Sequence, residues 1–170
     1  MLIYSPSSTT TTFFSKQSVT ITRTADTNPY IADDVWGGRF ALTLPFTGDG
    51  NKAIILNKIN LTTSLTSLPT GFGTFRLFLF QNTTDSGNIA DNGAFTQRTT
   101  AIDTSGYPLA QMVKNTNDIS GNCTTFDLNV PIHIDAGINT LYGYLVTQSG
   151  YTPAAATADT ISIKFVLMVA

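Results

Sequence analysis

The chain has 170 residues, which fits one domain burying roughly 70% of its unfolded surface. Only 12% of its residues are charged and 42% are hydrophobic, so solubility rests on Thr, Ser and Asn rather than on charge. A net charge of −2 leaves no basic footprint for nucleic acid, a single cysteine excludes an intrachain disulfide or thiolate metal site, and no apolar run is long enough to span a bilayer.

Residues 1–17 read as an extended N-terminal arm. Ser7 to Thr12 is an uninterrupted Ser/Thr run, flanked by Ile3 and Tyr4 on one side and Phe13-Phe14 on the other. Such a segment, polar in the middle and apolar at both ends, is expected to lie on something; the alternative is a frayed terminus. No basic region followed by an apolar stretch opens the chain, so synthesis and folding in a cytoplasm are expected. The three glycosylation patterns at Asn60, Asn82 and Asn122 are then ordinary Thr-rich loops and strands.

Residues 18–170 read as a single β-sandwich domain. Val19 to Thr22 starts the first clear strand, and Asn28 to Asp34 is a loop, since Pro29 pushes Asn28 toward extended backbone. Val35-Trp36-Gly37-Gly38 leads into a strand through Phe40, Leu42 and Leu44 that Pro45 ends. Gly48 to Asn51 is a turn. Ile54 to Leu65 is a long strand with Ile55, Ile59 and Leu61 on one face and Lys58, Asn60 and Thr62 on the other. After a turn at Leu68 to Gly73, Phe75 to Phe80 is apolar on both faces, which implies a strand buried on both sides or one facing a neighbouring subunit.

Residues 81–95 form a polar connection with an expected helical turn near Ile89 to Asp91, and short strands are expected around Thr99–Asp103 and Gln111–Lys114. Phe126 to Ile134 alternates regularly, and Pro131 on its opposite face makes it an edge strand. Leu141 to Thr147 is the next strand. In the last, Ile161, Ile163, Phe165, Leu167 and Val169 share one face, while Ser162, Lys164, Val166 and Met168 share the other. About eight strands with these turn spacings give an all-β, antiparallel sandwich of jelly-roll type.

Residues capable of chemistry are few. His133 is the only histidine, so it cannot build a His-based metal cluster, and no recognisable nucleophile motif accompanies it. Cys123 would need a base, and His133 is the only histidine candidate. Asp33-Asp34, and Asp85 with Asn88 and Asp91, offer oxygen ligands, but no Glu occurs anywhere to complete a calcium loop. Trp36, Tyr30, Tyr107 and Tyr151 could form an aromatic platform for a sugar, although they are scattered in sequence. No enzyme activity and no cofactor are expected.

Several segments together resemble a family of small β-rich virion proteins of tailed bacteriophages. They are Val19 to Arg23, Asn28 to Gly37, Pro69 to Phe80, Ile89 to Phe95 and Thr140 to Ala155. The resemblance implies a head decoration (cement) protein on the outer capsid surface, often a homotrimer, with the major capsid protein as partner. No nucleic-acid or membrane partner is expected. Ile3, Tyr4, Phe13, Phe14, Phe78 and Phe80 are the candidate capsid or subunit contacts. The competing reading is a host-attachment module of a phage fibre that binds a glycan. Low charge and a sticky arm favour the cement reading, since charge is what keeps freely diffusing proteins apart.

Overall fold

The computed structural model describes residues 13–65, 67–109 and 122–169, with backbone only for Phe13, Asn122 and Cys123. Eight strands form two four-stranded antiparallel sheets: β1 (Phe13–Thr22), β2 (Val35–Thr43), β3 (Ala53–Thr63), β4 (Phe75–Phe80), β5 (Tyr107–Leu109), β6 (Asn122–His133), β7 (Thr140–Thr147) and β8 (Thr160–Val169). One sheet runs β1-β8-β3-β6 and the other β2-β7-β4-β5. First pairs with last, third with sixth, second with seventh and fourth with fifth, which is the winding of a jelly roll.

Alternation explains how the core forms. Ile161, Ile163, Phe165 and Leu167 of β8 and Ile54, Leu56, Ile59 and Leu61 of β3 are fully buried between the sheets. Phe75, Leu77 and Leu79 of β4 meet them from the other sheet, with Leu141 and Leu145 of β7. Gly143 lets Phe40 cross β7, because a Cβ there would sit 2.3 Å from Phe40 Cζ.

Several sequence expectations change. Phe13 to Gln17 are not arm: they pair in register with Val169 to Phe165 of β8 and belong to the sheet. Residues 1–12, with Ile3 and Tyr4, and the expected strand at Gln111–Lys114 lie outside the described residues. The helical turn sits earlier, at α1 (Thr83–Ser86), because Asn82 caps it by accepting from the Asp85 N–H. The stretch from Thr99 is a 3-10 turn (Arg98–Thr100) rather than a strand.

In β3 a bulge falls between Leu56 and Lys58, opposite Asn129 of β6, whose φ is +53°. It switches the alternation, so Ile54 and Leu56 face inward and Ile55 faces out with Lys58, against the expectation that Ile55 shares a face with Ile59.

Of the two readings of the apolar strand β4, the structure shows the one in which both sides are buried within the chain. Phe78 and Phe80 are fully buried by the chain itself. Residues 83–101 fold back over the outer face of their sheet, and Phe95 packs 4.4 Å from Phe78 between ring centroids. Val35, Tyr144 and Val146 complete this second core, with Ile89 and Ala101 at its rim. Phe78 and Phe80 are therefore not surface contacts, and this face does not wait for a partner.

Candidate functional site

Three of the four aromatic residues scattered along the sequence, Tyr30, Trp36 and Tyr151, meet at one end of the sandwich. Tyr30 and Tyr151 stack with centroids 4.9 Å apart and planes 4° from parallel. The Trp36 indole N–H donates to the Tyr151 hydroxyl at 2.7 Å, and Phe72 stands edge-on to both Trp36 and Tyr151. All of them are buried, so they form a core and not an open sugar platform. Tyr107 is buried elsewhere, on β5.

Two charged side chains tie this end together. Asp91 accepts from the Tyr30 hydroxyl, the Gly37 N–H and the Thr24 N–H, each at 2.7 Å. The bulge at Gly37 and Gly38, with φ of +73° and +81°, turns that Gly37 N–H toward Asp91. Arg23 is 3% exposed, with Nε donating to Asp159 at 2.8 Å. Its other nitrogens donate to the carbonyls of Thr24, Asp26 and Ala155. The sequence did not show these roles of Asp91 and Arg23, because the partners of Asp91 are 54 to 67 residues away and Arg23 reaches Asp159 and Ala155 across 136 and 132 residues.

Four stretches distant in sequence meet around these residues. Val19 to Arg23, Asn28 to Gly37 and Thr140 to Ala155 supply the Arg23 and Tyr30 networks, and Ile89 to Phe95 supplies Asp91 and the lid over Phe78.

The remaining candidates disperse. Asp33 pairs with Arg98, whose guanidinium lies 5.1 Å from the Phe78 ring centroid. Asp34 accepts from the Ile31 N–H, and Asp85 belongs to the α1 cap. No group of three metal-ligating side chains occurs among the described residues. His133 is exposed, with Nε2 at 2.8 Å from the Gly50 carbonyl and Nδ1 at 3.6 Å from Asp135.

Phe14 is the candidate contact residue that the structure does place at the surface. It is 68% exposed and lines an open, largely apolar cavity of about 490 Å³ with Ser15, Pro45, Phe46, Lys52 and Val169. This cavity lies at the start of β1. Two other clefts are smaller. One of about 320 Å³ lies between Ser64, Pro69, Ala155 and Asp159, and one of about 220 Å³ lies between Asn82, Asn139 and Tyr142.

Burial also acts on the phenols of the core. It raises the phenols of Tyr30 and Tyr151 far above their ordinary value, with Asp91 raising Tyr30 further. Tyr107 is pushed up to about 12, by burial and then by Asp103. A raised folded-state value means that the unfolded chain releases these protons first, from about pH 10. Their contribution to stability is complete below that pH and is lost as the pH rises through the folded values. Titration is expected to show tyrosinate absorbance from these three residues appearing together with loss of near-ultraviolet circular dichroism. Ionisation of all six tyrosines at the ordinary value, with the fold intact, would contradict it.

No family model and no curated protein matches the chain. Among solved structures it is similar to a cleaved adhesin domain of Lys-gingipain from Porphyromonas gingivalis, at 14% identity over 93% of this chain and 97% of that one. The TM-score is 0.35, so the likeness is distant and says nothing about function.

Proposed function

We propose that the chain is a capsid decoration protein of a tailed bacteriophage, which binds the outer head surface and strengthens contacts between capsid subunits. The observation that carries this reading is the open apolar cavity at Phe14, beside the origin of a twelve-residue segment with apolar anchors at Ile3 and Tyr4. A low-charge surface adds to it, because such a surface suits a protein packed in a lattice. The resemblance to phage virion proteins points the same way. A homotrimer on the shell is part of the proposal, and its contacts do not include Phe78 and Phe80, which the chain itself buries. The glycan-binding alternative loses its main support, since Tyr30, Trp36 and Tyr151 are buried.

Fully burying one large apolar side chain is worth roughly 1.5–3 kcal/mol, whereas ordering one backbone residue costs about 1–2 kcal/mol. A free arm with so few anchors does not repay its own ordering, but a rigid, repeated lattice adds strand-edge hydrogen bonds and avidity. Deleting residues 1–12 is therefore expected to leave the sandwich folded and to weaken rebinding to decoration-stripped heads of the parent phage by about tenfold or more, the equivalent of one buried anchor. Full-affinity rebinding by the truncated protein would remove the arm from the mechanism. Failure of the intact protein to bind heads would remove the decoration reading itself.

A further inference from the structure

The outer faces of the two sheets are treated differently. The chain covers the β2-β7-β4-β5 sheet with residues 83–101, but no described segment covers the outside of β1-β8-β3-β6. Strand register arranges that open face in rows. Phe14, Met168, Ile55 and Pro131 stand side by side across all four strands as an apolar row. Phe14 and Pro131 are exposed and Met168 and Ile55 are half-buried, although β8 and β3 lie in the interior of the sheet.

The next row is Lys16, Val166, Lys58 and Asp127, and the one after it Ser18, Lys164, Asn60 and Thr125. Three of the chain's five lysines thus sit on one face of a protein whose net charge is −2. Lys58 bonds Asp127 at 3.0 Å, which leaves Lys16 and Lys164 as the excess positive charge beside the apolar row. Beyond them the face is hydroxylic, with Thr20 and Ser162 hydrogen-bonded to one another at 3.0 Å.

We propose that this outer face is the docking surface, and that it seats an acidic protein surface: an apolar ridge on Phe14, Met168, Ile55 and Pro131, flanked by carboxylates that meet Lys16 and Lys164. The proposal rests on the decoration reading and names the face that reading left open. Charge selects the occupant. Two copies meeting by a two-fold axis through the lysine rows would set like charges against each other, which is unfavourable in a partly desolvated interface. An acidic partner is instead attracted over a Debye length that shortens from roughly 30 Å in 0.01 M salt to roughly 8 Å in 0.15 M.

The test compares two double variants of equal charge change. Lys16→Gln with Lys164→Gln alters the face, and Ala156→Glu with Ala158→Glu alters an exposed loop at the opposite end of the molecule. Both pairs are solvent-exposed, and matched circular dichroism melts check folding. Rebinding to stripped heads is expected to weaken by about tenfold or more for the lysine pair, to be unchanged for the alanine pair, and to weaken with added salt for the wild type. Equal binding by the lysine pair, or equal loss in both variants, overturns the face while leaving the decoration reading standing. Wild-type protein that fails to bind heads overturns both. Lysine-dependent binding to phosphatidylserine vesicles without binding to heads, or a lysine-dependent self-association seen by sedimentation, also overturns the acidic-protein assignment.

Discussion

Replacing Arg23 by alanine is expected to lower the unfolding free energy by about 3–5 kcal/mol, the range for removing one member of a buried ion pair. The Arg23 side chain is 1% exposed and that of Asp159 13%, so the carboxylate left behind would be poorly solvated. The backbone carbonyls of Thr24, Asp26 and Ala155 would each lose a donor at the same time, although that of Thr24 keeps the Asp26 N–H. Because these carbonyls lie on two loops distant in sequence, the guanidinium acts as the clasp between residues 24–26 and 155–159. Urea unfolding should show a lower midpoint with an unchanged slope, and thermal unfolding a fall on the order of 10 °C for a domain of this size. Arg23→Lys should recover only part of the loss, since one ammonium cannot reproduce a planar fork of donors in several directions. A loss below about 1 kcal/mol for the alanine variant would show that water replaces the clasp, as it does at an exposed pair.

The second large effect is expected from Phe95→Ala. Phe95 is 6% exposed and touches Phe78, Phe80 and Tyr144, with ring centroids 4.4, 6.4 and 5.6 Å away. Removing a buried phenyl ring costs about 3–5 kcal/mol through lost transfer energy and the cavity left behind. The variant also uncovers Phe78 and releases one of the two rings beneath Arg98. It should therefore unfold earlier in urea and bind a hydrophobic dye more strongly than wild type. If Phe78 and Phe80 instead served a subunit interface, truncating Phe95 would leave the stability of an isolated monomer nearly unchanged, and that outcome would restore them as contact residues.

The elements and their inner faces were legible in the sequence because a half-buried strand writes its burial directly as period-two alternation. Ile161 to Val169 and Phe126 to Ile134 could be assigned to a sheet, and Pro131 to an edge, from local pattern alone. Pattern failed where one residue changes the count. The bulge after Leu56 turned Ile55 outward, and that single reversal completes the apolar row across the open face.

Pattern also failed where the partner of a face is distant. Phe75 to Phe80 showed plainly that both faces of β4 are buried, but not that residues 83–101 of the same chain bury the second one. Arg23, Asp91 and the Tyr30–Tyr151 stack are matters of tertiary structure for the same reason. A buried charge or phenol is defined by groups that converge from several loops, and no spacing along one strand records that convergence. The strand order itself, with first beside last and third beside sixth, was likewise decided in three dimensions, where each sheet could close its apolar face only against the other.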